Sequence, residues 1–353
     1  MTTLNQQQRK AFAAEVEQLE TETRSELGER DASYIRSMVV VHRLLEIGSR
    51  VLMVFGFWSV LWWYLAVAML GLAKILENME IGHNVMHGQY DWMNDASLSG
   101  KQYEWDIAAD GDSWRRYHNY EHHTYTNVIG MDRDFGYGLF RLSHDLSWRL
   151  KNVWQIVTFV LLTVFFEWGV AYHELAAERI FMGKPKKNSR LPISKQQLRR
   201  DFFRKIFRQV FKDYLFFPLI CWPVAGQVLL GNFLANIIRN VWASTIIFCG
   251  HFTEDVHTFS KQSIQDESKA DWYYRQILGS SNMTGSRAFH ILTGHLSCQI
   301  EHHLFPDIPA WRYPRIAEKL EQICRRHGVP YNTGGFFRQY FTVLKRVIRF
   351  SFP

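Results

Sequence analysis

Cysteine is scarce in this 353-residue chain. Cys221, Cys249, Cys298 and Cys324 form no CxxC pair. That spacing supports neither a disulfide framework nor a thiolate zinc site, and it favours a reducing compartment for the soluble part. The first 30 residues are polar and charged, without an early apolar run, so no cleaved secretory leader is expected there. The sequence also has no haem-binding HPGG, no Cys₄ iron–sulfur pattern and no dinucleotide-binding GxGxxG. It has no internal repeat, low-complexity tract or clear interdomain linker. Charge is missing from Val51 to Ala73, a run of 23 residues and long enough for one membrane span.

Aromatic residues, by contrast, are abundant, with 13 Trp, 15 Tyr and 26 Phe. Trp and Tyr gather where an apolar phase meets water. The mean hydropathy of −0.20 conceals the clustering of the apolar residues. The net charge is +7, but Lys and Arg flank apolar stretches, which fits a positive-inside membrane protein better than a nucleic-acid binder. No basic run is interleaved with exposed aromatics, and no nucleic-acid partner is expected.

These patterns predict an all-α integral-membrane protein with a polar N-terminal segment (1–33) and one membrane domain (34–353). Four spans are expected in two hairpins, at about 40–60 and 61–82, then 214–230 and 232–250. The second hairpin is expected to turn near Gly231-Asn232, because Tyr214 to Gly250 is too long for one helix. Asn152 to Phe166 is apolar for only 15 residues, so a segment at about 152–172 is expected to lie in the interface. Residues 183–213 hold eleven Lys or Arg against two Asp, a cytoplasmic signature. A cytosolic helical cap follows from 83–150 and 251–353, with an amphipathic helix around Pro314 to Arg326.

The 15 histidines are concentrated in motifs. His83 and His87 form HxxxH. His118, His122 and His123 form HxxxHH, and Gln299, His302 and His303 form QxxHH. Chance supplies roughly 0.6 HxxxH pairs at this histidine content but only about 0.03 HxxxHH patterns, so the set as a whole demands a cause. On a helix, residues four apart share a face and can aim two imidazoles at one metal, while an adjacent histidine points to a second. Imidazole suits Fe, Zn, Cu or Ni, and seven or eight histidines are too many for one ion. Two iron ions are the economical reading. His251 follows the last apolar stretch at the same membrane face and joins the candidates. Gln299 and His295, which would share the helical face of His302, are expected just behind the metal ligands. His257 is expected in a loop, and Asp132 and Asp134 are expected as loop groups or partners of the ligands. His42, His144, His173, His290 and His327 have no partner spacing and are read as ordinary.

Three stretches carry a wider likeness: ILENMEIGHNVMHGQYDWMND, HNYEHHTYTNVIGMDRDFGYG and GHLSCQIEHHLFPDIPAWRY. From about Leu76 to Tyr313 the chain resembles the membrane fatty acid desaturase superfamily, in the branch of front-end and bacterial acyl-CoA or acyl-lipid desaturases. The resemblance implies four membrane helices and a cytosolic cap holding two irons. As metal ligands it carries over to His83, His87, His118, His122, His123, His302 and His303, and to His251. Many front-end members carry a fused cytochrome b5 domain, whose HPGG is missing here. Electrons are therefore expected from a separate ferredoxin or cytochrome b5-like protein with its reductase.

The implied activity is O₂-dependent insertion of a double bond into a fatty-acyl chain, carried as acyl-CoA, acyl-lipid or free acid in contact with membrane lipid. A fatty-acid hydroxylase or a terminal-alkene-forming decarboxylase would share the histidines. A membrane metal-binding protein without catalysis would instead need ionisable groups inside its spans. Arg239 and Lys74 are the chief ones, and both are expected near span ends.

Overall fold

The computed structural model describes residues 4–174 and 194–353. Residues 183–193 of the basic linker lie outside these. The described chain is mainly helical, with one two-stranded parallel sheet, β1 (Asn282–Thr284) and β2 (Thr333–Gly335).

α1 (Gln6–Ser25) begins at an Asn5–Gln8 capping box. This polar segment is helical and docks against the cap. Phe12, Val16 and Leu19 are buried in a core shared with the cap helices, and ion pairs tie Arg9 to Asp271 and Arg24 to Asp307. α2 (Glu29–Phe55) and α3 (Val60–Met86) form the first hairpin. Its turn falls at residues 56–59, where Phe57 and Trp58 are well exposed. Trp62 is exposed one turn on, whereas Trp63 is buried and donates to the Gln227 carbonyl at 2.9 Å. α3 is straight α-helix to Ile75 and continues as π-helix over Leu76–His83.

The cap contributes α4 (111–125), which starts at the Asp110 cap and is π-helical over Arg115–His122. α5 (Gln155–Val164) and α6 (Phe166–Glu174) follow, bent by 98° at Phe165. The segment expected to lie in the interface is this bent pair, which is long enough for a span only if the two pieces are taken together.

The second hairpin differs from expectation. Residues 195–220 form α7, and α8 (Ala225–His251) is one uninterrupted helix through Gly231-Asn232. The chain turns instead at Cys221–Val224. Pro223 removes a backbone donor there, and the highly exposed Trp222 marks the tip. Gly231 serves packing: a Cβ there would meet Met53 Sδ at 2.9 Å and Val67 at 3.4 Å. Gly71 does the same on α3, where a Cβ would sit 2.9 Å from Ile238. Small residues let the backbones of α2, α3 and α8 approach closely.

Arg239 also departs from expectation. It lies in the middle of α8, is 1 % exposed, and pairs with Glu167 of α6 at 2.7 Å. Lys74 is buried against Asp213 of α7 at 2.9 Å, within a network that includes Asp106 and Lys212. Both cations are therefore compensated inside the helix bundle. Among the described residues, α3 and Trp222–His251 are each long and apolar enough to cross a membrane, and the bent α5–α6 pair would make a third.

The cap is completed by α9 (Lys269–Leu278), α10 (Gln299–Leu304), α11 (Tyr313–His327) and α12 (Phe336–Arg349). α11 is the expected amphipathic helix and ends at Gly328 with φ of 68°. Its buried face (Ile316, Leu320, Ile323) packs with α1, α9 and α10. Substituting Gly71→Leu should destabilise the α3–α8 contact by about 1–3 kcal/mol, the usual cost of overpacking. Thermal unfolding in detergent should show it as a clear drop in midpoint, with no comparable drop for Leu65→Ala at an exposed position of the same helix.

Candidate metal centre

Four elements deliver the histidines to one place. The π-helical end of α3 carries His83 and His87, α4 carries His118, His122 and His123, the C-terminus of α8 presents His251, and the short α10 holds His302 and His303. π-helix is rare and concentrates at functional sites, because it re-aims side chains without ending the helix. Both HxxxH motifs sit in or beside such a segment.

The rings form two groups. His83, His87, His118 and His302 each place a nitrogen within 4.8 Å of the others, and His122, His251 and His303 do the same. The doublets are shared out: adjacent rings lie at 84° to one another in both His122/His123 and His302/His303. His302 thus faces the first group and His303 the second. His123 stands between them, its ring 4.7 Å from those of His87 and His302 and 4.4 Å from that of His303. His83 and His87 serve the first group together, as an i,i+4 pair should, whereas HxxxHH and QxxHH are each split between the groups.

In the second group, His251 Nε2 is 3.3 Å from His122 Nε2, 3.1 Å from His303 Nε2 and 2.9 Å from the Gln299 amide. Nitrogens about 2.0–2.1 Å from a shared cation would be roughly 3.0–3.4 Å apart. Several imidazole nitrogens in the centre are buried and unpartnered: His87 Nε2, His118 Nε2, His251 Nδ1, and both nitrogens of His123 and of His302. Buried polar atoms are ordinarily satisfied, so such a concentration of orphans calls for a cation. Burial, reinforced by the neighbouring imidazoles, holds His87, His123, His302 and His303 well below the ordinary histidine range. Neutral imidazoles are the form that binds metal. The residues present fit two metal ions.

Carboxylates orient two of the rings. Asp132 approaches His122 Nδ1 at 3.0 Å, and Asp134 approaches His118 Nδ1 at 3.0 Å. Burial pulls His122 down, but the Asp132 charge and hydrogen bond outweigh it and leave the group raised. For His118 burial wins over the Asp134 bond, and the group is lowered. Trp114 stacks on His118 with 4.6 Å between centroids. Asn84 Oδ1 lies 3.1 Å from His83 Nδ1, and Thr126 Oγ1 lies 3.1 Å from His303 Nδ1. Such partners fix ring orientation and raise ligand basicity.

His173, read as ordinary from sequence, reaches Asp134 at 3.1 Å and so backs His118 through it. Its position on the bent α5–α6 pair left no spacing signal. The D-x-D after HxxxHH was the readable trace of the two carboxylates. Gln299 is at the centre, whereas His295 is not on its helical face. The chain turns at His295 with φ of 57° before α10 begins, and His295 instead bonds Glu80 at 2.9 Å. His42, His144, His290 and His327 pair elsewhere, with Ala73, Arg349, Ser297 and Glu15 respectively. His257 lies in a loop, where its backbone bonds Leu278 and Asn127.

The centre opens onto a narrow cavity running toward the helix bundle, walled largely by apolar side chains such as Met79, Trp105, Ile107, Val170, Ile247 and Phe252. A wider cleft of about 950 Å³ lies beyond Asp132 and His173 and carries Arg133, Arg141, Arg149 and Lys151.

The profile of the fatty acid desaturases matches residues 38–335 of the chain. The NADPH-dependent stearoyl-CoA 9-desaturase of Mycobacterium tuberculosis is 42% identical over 346 residues, 97% of this chain and 80% of the relative. The sn-1 linoleoyl-lipid 6-desaturase of Synechocystis is 24% identical over 88% of this chain and 87% of its own. The Delta(5) fatty acid desaturase A of Dictyostelium discoideum is 27% identical over 74% of this chain and 57% of its own. The chain belongs to the fatty acid desaturase family. It is an oxidoreductase of lipid metabolism that acts on a fatty-acyl substrate and draws on an electron donor.

Removing an orienting carboxylate should weaken metal binding without removing a ligand. Asp132→Ala should lower metal affinity about 10–100-fold, in the range known for such partners. Competition with a chelator, followed by metal analysis of the repurified protein, measures it. Asp145→Ala, on the far side of the cleft, should leave metal content at the wild-type level.

Proposed function

We propose that the protein is an O₂-dependent acyl-CoA desaturase that inserts a double bond near the middle of a saturated chain, using two irons held by its histidines. The observation that carries this reading is a buried, imidazole-dominated centre at the head of a narrow, largely apolar cavity. His83, His87, His118 and His302 would hold one iron, and His122, His251 and His303 the other. His123 stands between them, and Gln299 acts beside His251. Irons bound there supply the one-electron redox chemistry that O₂ needs to attack an unactivated methylene. The balance is –CH₂–CH₂– + O₂ + 2 e⁻ + 2 H⁺ → –CH=CH– + 2 H₂O.

The chain's own residues do the rest. Met79, Ile107, Val170 and Ile247 exclude water and hold the acyl chain extended, so that one C–C bond sits against the histidine centre. Asp132, Asp134 and Thr126 keep the rings from rotating. Arg149 and Lys151, in the neighbouring cleft, suit the phosphates of a CoA carrier. The relative's stearoyl-CoA substrate and its identity across nearly the whole chain favour the same carrier here.

In the bilayer, α2 with α3 and α7 with α8 would make four spans, so that residues 195–213, expected as cytoplasmic linker, would begin the third span instead. The Trp58 and Trp222 tips would lie at the outer face and the histidine centre at the cytoplasmic face. Electrons would come from a separate carrier with its reductase, in line with the NADPH dependence of the Mycobacterium tuberculosis relative.

Iron-loaded protein given stearoyl-CoA, O₂ and a reduced ferredoxin system should yield a monounsaturated product two hydrogens lighter, identified by mass spectrometry. His303→Ala should abolish it. A hydroxylated or chain-shortened product would replace this reading with a hydroxylase or a decarboxylase. Sustained turnover with NADPH alone would contradict the external donor.

A further inference from the structure

The far end of the cavity beneath the histidines is charged. Three elements line it lengthwise, and each runs away from the centre. On α8 the lining residues pass from His251 through Ile247 to Asn240 and Arg239. On α6 they pass from Glu174 through Val170 to Glu167 and Phe166, and on α3 from His83 through Met79 to Asn78. The most distant lining residues of α8 and α6 meet. Arg239 Nη2 lies 2.7 Å from Glu167 Oε1, and Asn240 Oδ1 accepts from Arg239 and from the Glu167 backbone. Arg239 also donates to the Asp106 carbonyl at 3.4 Å. Behind it lies more charge, since the Asp106 carboxylate pairs with Lys212 and approaches Lys74. Arg239 and Glu167 are 1 % and 2 % exposed, so water does not screen the pair.

An ionisable pair at this depth needs a reason. Ion pairs buried in a helix bundle gain little stability over apolar residues of like size, but separating one is costly. Within membrane segments, ionisable groups mark function. An apolar pocket receiving an acyl tail would be cheaper to end with Leu or Phe. A salt bridge makes a harder stop, because a methyl group advancing against it must separate opposite charges and offers no hydrogen bond in return. Twelve residues of α-helix separate Arg239 from His251, about 18 Å at a rise of about 1.5 Å per residue. That bounds the depth available for the tail.

Building on the acyl-chain reading of this cavity, we infer that the Arg239–Glu167 pair is the end-stop for the methyl terminus and sets the longest chain the enzyme accepts.

The test replaces both charges together by Arg239→Leu with Glu167→Ala, which leaves no unpaired ion and opens space beyond the present stop. Saturated acyl-CoAs of graded length are supplied as competing pairs, and products are counted by mass spectrometry. Discrimination of one methylene in an apolar pocket is about 10–200-fold, so the product ratio should shift at least about 10-fold toward chains two to four carbons longer than the wild-type limit. A second variant, Val170→Phe, narrows the same cavity one turn nearer the histidines and should shift the ratio toward shorter chains. It decides the question if the double variant fails to fold. An unchanged length profile in either folded, metal-loaded variant overturns the end-stop. If the wild type desaturates no acyl-CoA of any length, the acyl reading of the cavity falls and this inference with it.

Discussion

The rest of the structure depends on one electrostatic demand. Eight imidazoles, drawn from four separate elements, are packed where water cannot satisfy them, and many of their nitrogens have no protein partner. Left alone, such a cluster would be among the costliest ways to bury polar surface. Cations between the rings would give each ring one ligand bond, and the cluster would then cross-link α3, α4, α8 and α10. The same geometry that is costly without metal would hold a bound metal pair rigid.

Much of the fold is arranged to hold these elements in place. Gly71 and Gly231 let α2, α3 and α8 approach closely. His83 ends the π-helical stretch of α3, and His87 caps the helix one turn later. α1, whose sequence looks like a polar tail, closes the cap through Phe12 and Val16 and through ion pairs to Asp271 and Asp307. The Lys74–Asp213 and Arg239–Glu167 pairs compensate charge inside the bundle and leave the cavity wall between them and the histidines largely apolar.

Much of the site is legible in the sequence because the histidine spacings are local. HxxxH, HxxxHH and QxxHH are short enough for helical geometry to be read directly, and QIEHHLFP carries its own likeness. What is not legible depends on long-range packing. The sharing of His302 and His303 between two groups follows from how α10 meets α3 and α4, and His173 joins Asp134 only because the α5–α6 pair bends by 98°. Counting residues along a helix puts His295 beside His302, but a left-handed turn precedes that helix. Gly231-Asn232 reads as a turn in isolation. In the fold, Gly231 is where Met53 packs, and Pro223 makes the turn.

The most direct test of the central claim is the metal itself. X-ray absorption and Mössbauer spectra of purified, turnover-competent protein, combined with metal analysis, should give two irons per chain in a nitrogen-dominated ligand shell. Both signals should weaken together in His302→Ala and His303→Ala, since these neighbours face different groups. A single iron, a carboxylate-dominated shell or stoichiometric zinc in active protein would contradict the account.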